Sequence, residues 1–211
     1  MHKRAIVVFL VGLLVLLGGA AAYLLTEPVT SVTRLPSQAG QTGSGAAKVG
    51  GAFELVDQSG ETRTQADFAG RHMLVYFGYT YCPDVCPTSL SLMSQGLDLL
   101  ETETGSLEDR VVPIFVTVDP ARDDVAAMAA YAEHFHPRLV ALTGNDAQIA
   151  AAAKAYRVYY RRAEDPSASE YLMDHSSFIY LMGPDGTYVS HFAHNASPEE
   201  IAEGLKGFLK L

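Results

Sequence analysis

Cys82 and Cys86 are the only cysteines among 211 residues. Three residues separate them in Phe77-Gly78-Tyr79-Thr80-Tyr81-Cys82-Pro83-Asp84-Val85-Cys86-Pro87. A disulfide that closes so short a loop removes little entropy from the unfolded chain and is a poor staple. Two such thiols are therefore read as chemistry. As a pair they can cycle between dithiol and disulfide. With an imidazole they make a soft, three-coordinate metal site, because thiolates select Cu(I), zinc or iron–sulfur clusters and imidazole suits copper and zinc. Closed zinc sites want four ligands and iron–sulfur clusters usually four cysteines, and there are no further cysteines to supply them. Attached c-type haem needs two intervening residues and a following His, which this spacing lacks. Copper fits the donor set best.

The flanking sequence says how the thiols are carried. An apolar run from Met73 to Phe77 leads in, and Leu90, Met93, Leu97 and Leu100 follow at helical spacing. The order is buried strand, short loop, amphipathic helix. The residue before a proline avoids helical backbone, which predicts Cys86 just ahead of the helix and Pro87 in its first position. A thiol there meets unpaired N–H groups and the positive end of the helix dipole, which favours thiolate.

The chain has 7 histidines. His72 opens the central strand at the end expected to lie away from the thiols. His134 and His136 close a helix, and His191 and His194 flank the end of a hairpin, all ordinary solvated or capping positions. His175 stands apart, in Met173-Asp174-His175-Ser176, directly before the apolar run Phe178 to Met182. Its position alone leaves two readings open, a histidine facing the cysteines or a satisfied loop residue.

Elsewhere, Phe53 and Leu55 lead into a turn at Gln58-Ser59-Gly60, with Glu61 to Thr64 as the return strand and Gln65 to Ala69 as a helical turn. A helix from about Thr88 to Glu103 precedes a second buried strand, Val111 to Val118. Further predicted elements are a helix from Asp123 to Phe135, a strand at Leu139 to Thr143, a helix capped by Asn145, and an extended piece from Val158. Ala163 to Tyr171 reads as a polar loop. Gly183-Pro184-Asp185-Gly186 turns a hairpin between Ser177–Met182 and Thr187–Phe192, and Ser197-Pro198 with Glu200 opens a capped terminal helix. Strand–helix alternation with a dithiol at the first βα junction predicts an α/β, thioredoxin-like mixed sheet flanked by helices.

Lys3 and Arg4 precede Ala5 to Leu25, 21 residues without a charge and long enough to span a bilayer. Residues 1–27 are expected to be a membrane anchor, with a cleaved signal at Ala20-Ala21-Ala22 as the alternative. The basic side stays in the cytoplasm, which places the remainder across the membrane. Neither cysteine directly follows the apolar run, which excludes a diacylated one. Residues 28–48 are rich in Gly, Ser, Thr, Gln and Pro and read as a flexible linker, with the folded domain at residues 49–211. Without residues 1–47, which hold Lys3, Arg4, Arg34 and Glu27, the 15 basic and 24 acidic residues become 12 and 23, a net charge of −11. Such a domain does not bind nucleic acid by charge, and a basic protein partner is easier to accommodate. The short basic N-terminus lacks an organellar transit peptide, which favours a bacterial inner membrane with the domain in the periplasm.

The cysteine motif, together with Asp119-Pro120-Ala121-Arg122-Asp123, Asp174-His175-Ser176 and Gly183-Pro184-Asp185-Gly186, resembles the Sco/SenC family from about residue 50 to the end. The resemblance implies a membrane-tethered, thioredoxin-like copper chaperone that helps assemble the binuclear copper centre of cytochrome c oxidase, with subunit II as its partner. It also implies copper ligation by Cys82, Cys86 and His175, as Cu(I) and in some states Cu(II). A thiol reductant and a copper donor are implied as well, since exported thiols are otherwise oxidised. The alternative is a thiol–disulfide reductase, with Cys82 and Cys86 as its redox pair, that keeps the oxidase's copper-ligand cysteines reduced. A thiol peroxidase is weaker, since nothing selects peroxide. Asp119 and Arg122 are read either as a strand stop and helix cap or as a docking contact. Tyr79 and Tyr81 either shape the rim of the site or pack.

Overall fold

A computed structural model describes residues 48–163 and 170–211. The anchor and linker, residues 1–27 and 28–48, lie outside the described residues except for Lys48, as does most of the polar loop. No helix among the described residues is long and apolar enough to cross a membrane.

Among the described residues nine strands form two sheets. The larger has seven, in the spatial order β2 (Thr62–Thr64), β1 (Glu54–Asp57), β5 (Val140–Thr143), β4 (Val111–Thr117), β3 (His72–Gly78), β8 (Ile179–Met182), β9 (Tyr188–Phe192). β3, β4 and β5 run parallel and the outer strands antiparallel, so the sheet is mixed as expected. β3 and β4 are apolar almost throughout because both faces are covered. The smaller sheet is a two-stranded ribbon of β6 (Tyr160–Ala163) and β7 (Leu172–His175).

Neighbouring residues of a strand face opposite sides, and Tyr76 and Phe77 mark the two layers. On the Tyr76 side, Phe115 stacks beside Tyr76 at 6.5 Å, and Tyr131 of α2 (Val125–Ala132) lies 5.4 Å from Phe115. α1 (Val85–Thr104) shares that side, and α4 (Pro198–Leu209) packs on it so closely that a Cβ on Gly96 would stand 2.8 Å from Ile201. On the other side, Tyr156, just past α3 (Asp146–Ala155), packs at 5.3 Å from Phe77. Asn145 and Ser197 both cap their helices through complete capping boxes, as the sequence predicts.

Three local readings are corrected. α1 begins at Val85, so Cys86 and Pro87 lie inside its first turn. Proline fits there because the first four N–H groups of a helix have no intrahelical partner in any case, and the first bond to close is Thr88 to Asp84 at 3.2 Å. α2, predicted from Asp123 to Phe135, runs only from Val125 to Ala132, with Asp124 as its cap. Leu172–His175 is a strand that carries no apolar run to betray it.

The β1–β2 turn is organised by a buried carboxylate. Asp57 accepts hydrogen bonds from the Ser59 amide and hydroxyl, the Glu61 amide and Arg63 Nε. Burial alone would raise its pKa, but these donors outweigh it and hold the group at about 2, against an ordinary 3.8. A pKa lowered in the folded state means the stabilisation is complete above about pH 4 and is lost as pH falls toward 2. Its size follows from the shift, about 2 kcal/mol. Urea denaturation at pH 7 and pH 3 should therefore show an acid-side loss of stability that shrinks in Asp57→Asn; an unchanged loss would contradict this assignment.

Candidate metal and redox centre

The thiols sit where β3 gives way to α1. The last residue of β3, Gly78, makes room for them: a Cβ there would stand 2.8 Å from Cys86 Sγ and 3.1 Å from the Phe115 and Tyr76 rings. Cys86 is completely buried in that space, whereas Cys82 is partly exposed. The Cys86 amide donates to Cys82 Sγ at 3.4 Å. Since the Asp84 side chain makes no capping bond, the Cys82 sulfur takes the place of the usual N-cap oxygen.

The two sulfurs are consequently unlike. The hydrogen bond from the Cys86 thiol lowers the Cys82 pKa first of all; burial opposes it, and contacts with His175 and with the amides of Asp84 and Cys86 add to it, giving a value of about 3. The same pairing, together with burial, pushes the Cys86 thiol up. Cys82 is the thiolate and Cys86 the proton donor.

His175 closes the group. β7 delivers it, paired with Tyr160 on β6, and its Nε2 lies 3.4 Å from Cys86 Sγ. Its Nδ1 lies 3.0 Å from the Ser176 carbonyl. A carbonyl only accepts, so Nδ1 carries a proton and Nε2 is the nitrogen turned to the sulfur. The edges of Tyr79 and Tyr76 hold the ring, at 5.9 and 6.2 Å between centroids. A surface pocket of about 280 Å³ opens onto Cys82 and His175. A separate cavity of about 980 Å³ lies at the Met73 end of β3 and is lined by no cysteine and no histidine.

Of the two readings of His175 left open by sequence, the structure places it against the thiols. Among the described residues no group of three or more His, Cys, Asp or Glu side chains is arranged so that it could hold a metal ion as it stands. The three donors instead hydrogen-bond to one another, and a metal would replace those bonds. As a donor set, two sulfurs and an imidazole nitrogen suit a soft ion of low coordination number.

The other sequence candidates resolve differently. His72 opens β3 at the far end. His136 is buried, its Nδ1 accepting from the Arg138 amide. His191 is exposed, with Nδ1 at 2.6 Å from the Tyr188 hydroxyl. Tyr79 is buried and packs, whereas Tyr81 is 51% exposed at the rim. Asp119 follows the end of β4, as a strand stop should, but it is buried and leaves the capping of α2 to Asp124. Gly78, Tyr76 and Tyr171 were missed as contributors. Only Gly78 left a signal, a glycine inside a strand being a common sign of close approach.

A thioredoxin-like sheet with a dithiol at the head of its first crossover helix, and an imidazole against the buried thiol, defines a dithiol–imidazole protein of that fold. The SCO1/SenC family model matches residues 41–210, and the chain belongs to that family. It is 46% identical over 156 residues to the mitochondrial SCO2 homolog of Mus musculus, covering 74% of this chain and 60% of the mouse protein. It is 40% identical over 193 residues to the SCO2-like protein of Rickettsia felis, covering 91% and 92% of the two chains. Bradyrhizobium japonicum ScoI with copper bound superposes with a TM-score of 0.68 at 42% identity, over 76% of this chain and 99% of that one. The chain thus spans about three fifths of the length of the mitochondrial relatives from mouse and human.

Two outcomes test the geometry. Iodoacetamide should modify Cys82 far faster than Cys86, at a rate that persists below pH 7 because its pKa is lowered; preferential labelling of Cys86 would overturn the assignment. Gly78→Ala should cost about 1–3 kcal/mol in urea denaturation by driving a methyl into the Cys86 sulfur; a neutral effect would mean that the sulfur can move aside.

Proposed function

We propose that Cys82, Cys86 and His175 bind one copper ion as cargo and pass it by ligand exchange to subunit II of cytochrome c oxidase, assisting assembly of its binuclear copper centre. The observation that carries this is His175, whose Nδ1 is committed to the Ser176 carbonyl while Nε2 lies 3.4 Å from Cys86 Sγ. A histidine that only packed would not need its metal-competent nitrogen turned to a sulfur. The copper-bound ScoI of Bradyrhizobium japonicum, at 42% identity, supports the choice of ion. Two thiolates and an imidazole hold Cu(I) well, and the imidazole extends the site to Cu(II). Before loading, Cys86 must lose its proton, and an exported dithiol must be kept reduced by a separate thiol reductant. A distinct copper donor is required too.

On hydropathy, residues 1–27 hold the protein in a bacterial inner membrane and residues 28–48 tether the periplasmic domain at residues 49–211, giving it the reach to meet a membrane-bound subunit.

The unlike sulfurs favour a second activity of the same pair. The Cys82 thiolate attacks a disulfide on the target, forming a mixed disulfide and releasing one target thiolate. Cys86, deprotonated, then attacks Cys82 Sγ and releases the other. The target gains two electrons and this chain ends as the Cys82–Cys86 disulfide.

Titration of the reduced, full-length chain with Cu(I) against a competing chelator, without oxygen, separates the two. One tight equivalent is expected, weakened at least about tenfold in His175→Ala and abolished in Cys82→Ser/Cys86→Ser. Binding indifferent to His175 would remove the imidazole from the site. No specific binding would leave the dithiol as a redox catalyst.

A further inference from the structure

Beside the thiols lies a cluster that the copper reading does not use. Arg122 is four-fifths buried, its side chain 19% exposed. Its Nε donates to Asp119 at 2.5 Å and its Nη1 to the Tyr171 carbonyl at 3.0 Å. The guanidinium carbon lies 3.7 Å from the centroid of the Tyr171 ring, 4.7 Å from that of Tyr81 and 5.8 Å from that of Tyr79. The Tyr171 hydroxyl returns to the other oxygen of Asp119 at 2.8 Å. The remaining amine, Nη2, is buried without a hydrogen-bond partner among the described residues, so ring faces rather than acceptors surround that side of the charge.

Three segments meet at this one cation. Tyr79 and Tyr81 belong to the dithiol loop, with Tyr81 directly before Cys82. Asp119 and Arg122 belong to the loop between β4 and α2. Tyr171 directly precedes β7, which ends at His175. The β6–β7 ribbon does not pair with the seven-stranded sheet, and a two-stranded ribbon alone is only marginally stable. Something other than sheet pairing must therefore hold His175 in place.

We propose that Arg122 is a positioning residue for the copper site, clasping the segment that carries His175 against the dithiol loop. The proposal rests on the three-ligand site described above. Arginine is specified because the role uses its planar fork and its face together; lysine offers one point charge and neither. Arg122 touches none of the donor atoms, and the clasp acts on copper through His175 rather than through Cys82, its other neighbour by way of Tyr81.

That dependence is what the experiment reads. Cu(I) affinity of the full-length chain would be measured by chelator competition for the unmodified protein, Arg122→Lys, His175→Ala and the double variant. Arg122→Lys alone should weaken binding about tenfold or more, in the range typical for lost outer contacts to a metal ligand, and should add nothing in the His175→Ala background. With Cu(II), Arg122→Lys should also lose the nitrogen hyperfine coupling in the electron paramagnetic resonance spectrum that His175→Ala loses. Equal weakening in both backgrounds would show a general structural role and overturn the proposal, as would unchanged affinity in Arg122→Lys. If His175→Ala itself leaves affinity unchanged, the three-ligand site fails, and the proposal fails with it for that separate reason. Tyr171→Leu removes the ring but keeps the Arg122–Asp119 pair. It runs through the same cycle with the same criterion, so an unfolded Arg122→Lys still leaves a decisive variant.

Discussion

The sulfur of Cys86 fits into the protein because residue 78 has no side chain. A Cβ there would lie 2.8 Å from it, inside any tolerable contact, and two aromatic rings close the remaining directions. This seat fixes the first turn of α1 against the end of β3. With that turn fixed, the Cys86 amide points at Cys82 Sγ, and an ordinary helix N-terminus finds its acceptor in a cysteine. The asymmetry of the pair follows, since one sulfur is sealed in the core and the other faces a pocket. Both the metal-binding and the redox readings draw on that asymmetry.

The third donor is supported in a different way. Both thiols hang from the central strand and its crossover helix, among the most buried elements of the fold. His175 hangs from a ribbon held by side chains: Arg122 through Tyr171, and the edges of Tyr76 and Tyr79 against the imidazole. On the copper reading we propose, a site built this way would have two firm ligands and one that can leave first. Ligand exchange with a recipient needs such an order, because three equally rigid donors would release a soft ion only by opening the core.

The sequence carried the large elements in the plainest of signals. Continuous apolar runs announced β3 and β4, and Asn145, Ser197 and the Gly183–Gly186 turn marked their boundaries through local chemistry that needs no partner. The thiols and His175 were legible as residue types, and the resemblance joined them. What escaped was non-local. The start of α1 was misplaced because its cap is a sulfur four residues before the second helical position, a group absent from the usual capping preferences. β7 was missed because its exposed face (Leu172, Asp174) and its half-buried face (Met173, His175) each carry one apolar and one polar residue, so burial leaves no alternation in the sequence. Arg122 was read only as a boundary residue or a docking contact, since nothing in a linear sequence shows three tyrosines from two distant segments converging on one guanidinium.

The acidic character of the domain raises a question of selectivity, for carboxylates near a metal site attract hard cations. Here the neighbouring carboxylates are already committed. Asp123, fully buried, accepts from the Thr80 amide and hydroxyl and from the Thr117 hydroxyl. Asp119 is held between Arg122 and Tyr171, and Asp174 pairs with Arg161. Asp84 lines the pocket but is exposed, so it would have to shed its hydration to reach an ion inside. What remains available at short range is sulfur and an imidazole nitrogen. Hydrogen bonds that look purely structural thus set the chemistry of the site, by removing oxygen from the donors that a cation could find.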